Sequence, residues 1–405
     1  MRIAILTSGY APVLDGVAVS VETRVQRLAA GGHEVLLMAP RPADAMGPPA
    51  GLPGDVAFAG LPAARFGEAA GDLNPLPSAR PVIDAALERF APDLLHVDEA
   101  ERLAWGMRCI PGLGFARRRG IPAVAFFHTN FIDYPGQSTP ALLPWLAPVR
   151  AAGLGLLSQL YNRYDATLVP STATLRRLRR TGLANGVAGA FNGADTACFS
   201  PALRTPGYWG ARWGLRELDR RRVLLIAGRL TADKGWAGWR RALPLLAGRL
   251  RRDLGVVIAG DGGLRDEVAA LARGLPNVHL IGGVPHGALG PVFANADLFA
   301  TFSRCENASL AVYEALAACL PVIAPRAAGI PGQVRDGENG LLFPPGDAPA
   351  FAAAVSRLLD TPELAAALVR HLKAERASVD WDRAFAAWLD AVSAIAGGRA
   401  RRPPR

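Results

Sequence analysis

Two pairs of charged residues in the second half of the chain have types and spacing suited to chemistry. Arg229 and Lys234 lie five apart in Gly228-Arg229-Leu230-Thr231-Ala232-Asp233-Lys234-Gly235. An apolar run at 222–227 precedes them and a helical pattern follows, so both sit in a strand-to-helix loop bounded by glycines. Two cations with loop N–H groups match a diphosphate. The guanidinium can grip two oxygens at once, and the ammonium acts as a point charge. Lys234 and Lys373 are the only lysines in a chain that otherwise uses arginine, which suggests that a compact ammonium is wanted at 234. Glu306 and Glu314 are eight apart. A strand reads at 298–302, a helix at 310–318 and another strand at 321–324. Such a junction presents free helix N–H groups, those of Ser309 and Leu310 first, to an anion. Carboxylates on either side can hold hydroxyl groups. A nucleotide-sugar diphosphate has this form. The plainer alternative is a capped helix with Glu314 in solvent.

In the first half, the loop 8–17 ends in Asp15-Gly16-Val17. Gly16 at the mouth of the next helix allows close backbone approach to a ligand. The loop lacks G-x-G-x-x-G, so a dinucleotide fingerprint is missing. His128 follows a strand in Phe126-Phe127-His128-Thr129-Asn130-Phe131. Strand C-termini are where α/β sheets place ligands, and His128 there can hydrogen-bond a sugar hydroxyl or a phosphate oxygen. His96 and Asp98-Glu99 end another strand and are further candidates for acceptor contacts.

The elements that must position these residues follow a regular rhythm. Strands read at 2–7, 34–39, 93–97, 123–127, 166–169 and 187–190, with helices at 19–30, 82–90, 142–161 and 173–180. The pattern restarts with strands at 222–227, 255–259 and 278–281, then helices at 358–373 and 381–395. Strands alternating with helices imply parallel βαβ units in doubly wound sheets. At 405 residues the chain fits two domains. No uninterrupted apolar run is long enough to span a membrane. The N-terminus reads as a first strand and not as a signal peptide, so a cytoplasmic location is expected. The four cysteines have no paired short spacing, against a zinc cluster or a disulfide framework. The net charge is +10, which suits nucleotide phosphates or an anionic membrane face. No nucleic-acid-binding signature accompanies it. The run 140–161 is the most apolar part of the first half. It can lie in a membrane surface, with Trp145 at the interface and Arg150 and Arg163 on headgroups, or pack on its own sheet.

Gly228-Arg229-x4-Lys234-Gly235, the turn Gly260-Asp261-Gly262 and Glu306-x7-Glu314, in that order, resemble the motifs of retaining glycosyltransferases of family 4. The resemblance covers most of the chain. It implies the GT-B fold, α/β with two Rossmann-like doubly wound domains facing across a cleft. Residues 1–200 would be the acceptor-binding domain, with a C-terminal helix at 381–397 packing back on it. Residues 201–220 would be a linker, 221–380 the nucleotide-sugar domain, and 398–405 a disordered basic tail. The His128-Thr129-Asn130-Phe131 segment is similar to that of members transferring mannose or related sugars, several onto lipids, with Asp133 and Tyr134 shaping the acceptor pocket.

By this resemblance Arg229 and Lys234 offset charge on the leaving diphosphate, Glu306 lies by the transferred sugar, and Glu314 binds the ribose. Gly16, Val17, Gly228, Gly260, Asp261, Ile281, Ser309 and Leu310 line the donor, Ile281 at the nucleobase. His128 completes the catalytic set. The donor would be a UDP- or GDP-sugar, with no cofactor and no metal, since the two cations can replace a metal. The acceptor would be a lipid or lipid-linked glycan, with the enzyme at the inner face of the cell membrane. A soluble sugar, polysaccharide or small molecule is the alternative acceptor. An epimerase, a nicotinamide-dependent dehydrogenase and a non-catalytic nucleotide-sugar or membrane-binding protein are the rival classes. The chain departs from the family at Asp15, at Asn307-Ala308-Ser309 and at Cys319, where glycine is common.

Overall fold

The structure, a computed structural model, describes residues 1–10, 15–66, 72–128 and 143–399, with no side chains at 143–147 and 399. Thr129 to Phe131, Asp133, Tyr134, the Trp145 side chain and the tail from 400 therefore lie outside the described residues. The chain forms two compact units. One joins the N-terminal residues with Pro144–Phe191 and the chain from Ala384, and the other is built from Asn192–Arg383.

The first unit holds β1 (Arg2–Leu6), β2 (Glu34–Arg41), β3 (Ala57–Arg65), β4 (Leu73–Pro75), β5 (Leu94–Asp98), β6 (Ala123–Phe126), β7 (Ala166–Val169) and β8 (Gly186–Ala188). Their order is β4-β3-β2-β1-β5-β6-β7-β8. Pairing is parallel except between β3 and β4. Alternate residues of β1 enter two cores. Ala4 and Leu6 meet α2 (Ala79–Phe90), α3 (Ala100–Met107), α4 (Leu113–Arg119), α5 (Leu143–Tyr161) and α6 (Thr172–Arg180) on one face. Ile3 and Ile5 meet α1 (Gly16–Ala30) and the C-terminal helix on the other. Because both faces are covered, the strands read as unbroken apolar runs. Strand β3 escaped sequence reading because AFAGLPAAR has neither an apolar run nor clean alternation.

In the second unit β9 (Arg222–Ala227), β10 (Leu254–Ala259), β11 (Val278–Gly282), β12 (Leu298–Ala300), β13 (Val322–Pro325) and β14 (Gly340–Phe343) form a parallel sheet. The order is β11-β10-β9-β12-β13-β14. One core gathers α8 (Trp236–Leu245), α9 (Ala247–Arg252), α10 (Arg265–Arg273), α13 (Ala348–Asp360) and much of α14 (Pro362–Glu375). The other gathers α7 (Tyr208–Trp213), α11 (Leu289–Ala294) and α12 (Leu310–Ala317). The last helix, α15 (Trp381–Arg399), places Trp388 and Val392 in the first unit's core.

Two expectations are corrected. Residues 201–220 are not a free linker. Trp209 and Leu218 are buried in the second unit's core with Val223 and Leu225, and Asp219 accepts from the N–H groups of Trp209 and Gly210. The helix expected over 358–373 is split at Thr361 between α13 and α14. Pro362 has no N–H with which to continue the first helix, but it fits the first turn of the next.

Candidate active site

Each sheet has one point where the strand order reverses. In the second unit it lies between β9 and β12, since β10 follows β9 on the opposite side. Ligands in open α/β sheets bind outside the strand C-termini at such points. The loops leaving β9 and β12 bring Lys234 and Glu306 together, with Lys234 Nζ donating to Glu306 Oε1 at 2.6 Å. Asp233 completes the group, 3.7 Å from Lys234 and 3.4 Å from Arg229. Burial would raise the Asp233 carboxyl, but Lys234 and Arg229 hold it below its usual range. Burial would lower the Lys234 ammonium, but Glu306 and Asp233 hold it above. Two cations and two carboxylates thus form a balanced cluster. The backbone beneath is tightly laced. A Cβ at Gly260 would meet the Gly228 oxygen at 2.0 Å, so only glycine lets the two turns approach. Leu230 N–H donates to Asp261 O at 2.8 Å.

Glu314 is buried one turn into α12, and its Oε1 lies 3.0 Å from His286 Nε2. A carboxylate only accepts, so the imidazole proton is on Nε2. Ser309 does not offer its N–H as expected. That group donates to Gln333 Oε1 at 2.8 Å, and Gln333 Nε2 donates back to Ser309 O at 2.8 Å. The small residue Ser309 admits this clamp, which leaves the amides from Leu310 onward to begin α12. Asp261 is exposed and bonded to Arg265 at 2.7 Å, turned to its own helix by an i,i+4 pairing. Ile281 is half-buried against the second core. Cys319 adopts φ 58°, a left-handed backbone that explains why glycine suits that position.

In the first unit the reversal lies between β1 and β5. His128, just beyond β6, donates from Nε2 to Asp98 Oδ1 at 2.5 Å. Asp98 also accepts from Arg24 Nη1 at 3.1 Å and lies 3.3 Å from His96 Nε2. Phe126 is held between the Arg24 guanidinium, 4.4 Å from its centroid, and the His128 ring at 4.2 Å. Burial would raise the Asp98 carboxyl, but His96, Arg24 and the His128 hydrogen bond keep it well below the usual range. His96, Asp98 and Glu99 are fully buried, so they hold the strand ends and do not touch an acceptor. Glu99 accepts from Ser8 Oγ at 2.5 Å. Gly16 opens α1 behind the Asp15 cap, which accepts from Ala18 N–H. Val17 buries its side chain in the core, so only its backbone faces the loop.

Sequence reading missed Asp98, Arg24, Asp233, His286 and Gln333 as parts of these clusters. Asp233, beside Lys234, was in view. The others lie 24 to 74 residues from their partners, beyond any local spacing. Among the described residues no group of three His, Cys, Asp or Glu side chains is placed to hold a metal.

Two doubly wound sheets, with a cation-carboxylate cluster at one reversal point, define a glycosyltransferase of the GT-B type. Sucrose-phosphate synthase from Thermosynechococcus elongatus shares this fold, with a TM-score of 0.77 at 20% identity over 98% of this chain and 99% of that one. Residues 14–197 match the family described as "Glycosyltransferase Family 4", and 210–374 match "Glycosyl transferases group 1". A GDP-mannose-dependent alpha-mannosyltransferase of Mycolicibacterium smegmatis is 30% identical over 379 residues, 93% of this chain and 90% of the relative. A GDP-mannose-dependent alpha-(1-6)-phosphatidylinositol dimannoside mannosyltransferase of Mycobacterium tuberculosis is 27% identical over 98% of this chain and 97% of its own length. The chain belongs to glycosyltransferase family 4.

Proposed function

We propose that this glycosyltransferase moves a mannosyl unit from GDP-mannose to a hydroxyl of a lipid or lipid-linked acceptor, with retention of configuration and without a metal. The observation that carries the donor reading is the Arg229–Asp233–Lys234–Glu306 cluster at the β9/β12 reversal. In the step, the C1–oxygen bond to the diphosphate breaks as the acceptor oxygen bonds C1 on the same face. The acceptor proton passes to the leaving phosphate oxygen. Arg229 and Lys234 offset the charge gathering on that diphosphate, the electrostatic effect that usually dominates. Glu306 orients sugar hydroxyls and stabilises positive charge at C1. Glu314 accepts from the ribose. In the first unit, His128 is assigned a hydrogen bond to a substrate hydroxyl and Gly16 a backbone contact.

The names of the similar proteins favour GDP-mannose and a phosphatidylinositol-like acceptor. The surface of the first unit supports contact with an anionic membrane. Trp105 (80% exposed), Val149 (67%) and Leu156 (75%) stand on α3 and α5, helices that cover the same sheet face as α6. Arg163, just after α5, and Arg176 and Arg180, on α6, are exposed as well. Apolar side chains among arginines match a bilayer surface carrying anionic headgroups. A face of this kind would hold the enzyme on the leaflet containing its acceptor.

The test is a thermal-shift and hydrolysis screen with GDP, GDP-mannose, UDP, UDP-glucose and NAD, in EDTA. Stabilisation by GDP and GDP-mannose with slow release of mannose is expected. Stabilisation by none of them, or by NAD alone, overturns the reading.

A further inference from the structure

We infer that His286 is a positioning residue for the donor's ribose, acting through Glu314. The inference rests on the assignment of Glu314 to the ribose and goes beyond it. His286 follows β11 at a short turn of helix, His286–Ala288, and is a third exposed. Its ring is backed by Phe199 at 5.6 Å, and Phe199 is buried against Phe293 at 5.3 Å. The imidazole is therefore held on a fixed aromatic support, with Nε2 3.0 Å from Glu314 Oε1.

A buried glutamate has three side-chain torsions to fix before it can meet a diol. A donor on one oxygen removes that freedom in advance, so less ordering remains for the nucleotide to impose. Each carboxylate oxygen accepts two hydrogen bonds. Oε1 thus keeps a second lone pair, and Oε2 has no partner among the described residues. One vicinal diol can therefore bridge a carboxylate that His286 already orients. The specificity that follows is for a ribonucleotide over one lacking the ribose hydroxyls.

The experiment is calorimetric titration of wild type, His286→Ala and His286→Gln with GDP and with 2′,3′-dideoxy-GDP. His286 lies on a surface turn, and a thermal melt checks that each variant is folded. Wild type should bind GDP more tightly than the dideoxy form. His286→Ala should weaken GDP by about 5–12-fold, within the net worth of one intramolecular hydrogen bond, and leave dideoxy-GDP within about twofold. His286→Gln, whose amide can still donate, should recover most of the loss. Equal weakening of both nucleotides, or no weakening of GDP, overturns the inference. If wild type binds both forms equally, Glu314 does not hold the ribose and the inference falls with that assignment. If wild type binds UDP in place of GDP, only the choice of base is wrong. The comparison then runs on UDP and dideoxy-UDP with the same expected ratios.

Discussion

The two sheets place polar clusters at equivalent points but in opposite environments. At the β1/β5 reversal Asp98 and Arg24 are almost wholly out of water, with His96 beside them. At the β9/β12 reversal Lys234 and Glu306 keep 27% and 17% of their side-chain surface in solvent. A buried pair adds little net stability but is costly to break, because the survivor is a stranded charge. A pair near water is cheap to exchange. The first cluster is thus built to stay as it is and hold His128 in place. On the proposed reading, the second can trade Glu306 for a diphosphate on Lys234 at small cost.

Breaking the exchangeable pair should give the largest effect on turnover. Lys234→Ala and Glu306→Ala should each cut it by about 10²–10³-fold, the usual loss on removing one group that stabilises transition-state charge. Both should leave the melting temperature near wild type. Steady-state donor hydrolysis and acceptor transfer measure the first, and a thermal melt the second. Because the two side chains touch, the double variant should lose less than the product of the single losses. Near-normal activity in either single variant would remove that residue from the chemistry.

Breaking the fixed pair should act first on stability. Asp98→Asn leaves the Arg24 guanidinium buried without its counter-charge, at a cost of about 3–5 kcal/mol. Urea unfolding measures it. Arg24→Met in the same chain removes the stranded charge and should restore much of the loss. It should not restore turnover, since His128 still lacks the carboxylate that orients it. If Asp98→Asn melts like wild type, the cluster is not the rigid element described above.

The same contrast explains what was legible in the sequence. Lys234 and Glu306 announced themselves because each sits in a short motif of glycines and helix starts. The doubly wound, mostly parallel character of the sheets followed from apolar runs alternating with helices. Asp98 was in view only as a strand-end residue, because Arg24 lies 74 residues earlier and His128 30 later in the chain, and only folding joins them. The same distance hid His286 from Glu314. Ser309 was read as a donor because its place at a helix start is local information. Gln333, which takes that N–H, lies 24 residues on. Strand β3 failed for another reason. It is paired edgewise with β2, and that pairing lets Ala, Gly and Pro form a strand that composition does not suggest.

A smaller effect separates burial from pairing within the first unit. Glu101 accepts from the Tyr161 hydroxyl through Oε2, and its Oε1 is buried without a hydrogen bond. Burial, and then the charge of Glu99, push its carboxyl from 4.5 up to about 8. Asp98, more deeply buried, goes the other way because His96, Arg24 and the His128 hydrogen bond favour its charged form. Between those two values the folded chain holds a proton on Glu101 that the unfolded chain has released. Stability must therefore fall as pH rises through that window and level off above it. Glu101→Gln mimics the protonated acid and keeps an acceptor for Tyr161, so it removes the fall. At pH 5 the variant should match wild type within about 0.5 kcal/mol, and at pH 8 it should be more stable by on the order of 1–3 kcal/mol. Urea titrations at several pH values measure the difference. A gain that is the same at pH 5 and pH 8 would mean that Glu101 is charged in the folded chain throughout, and that burial here is offset as it is at Asp98.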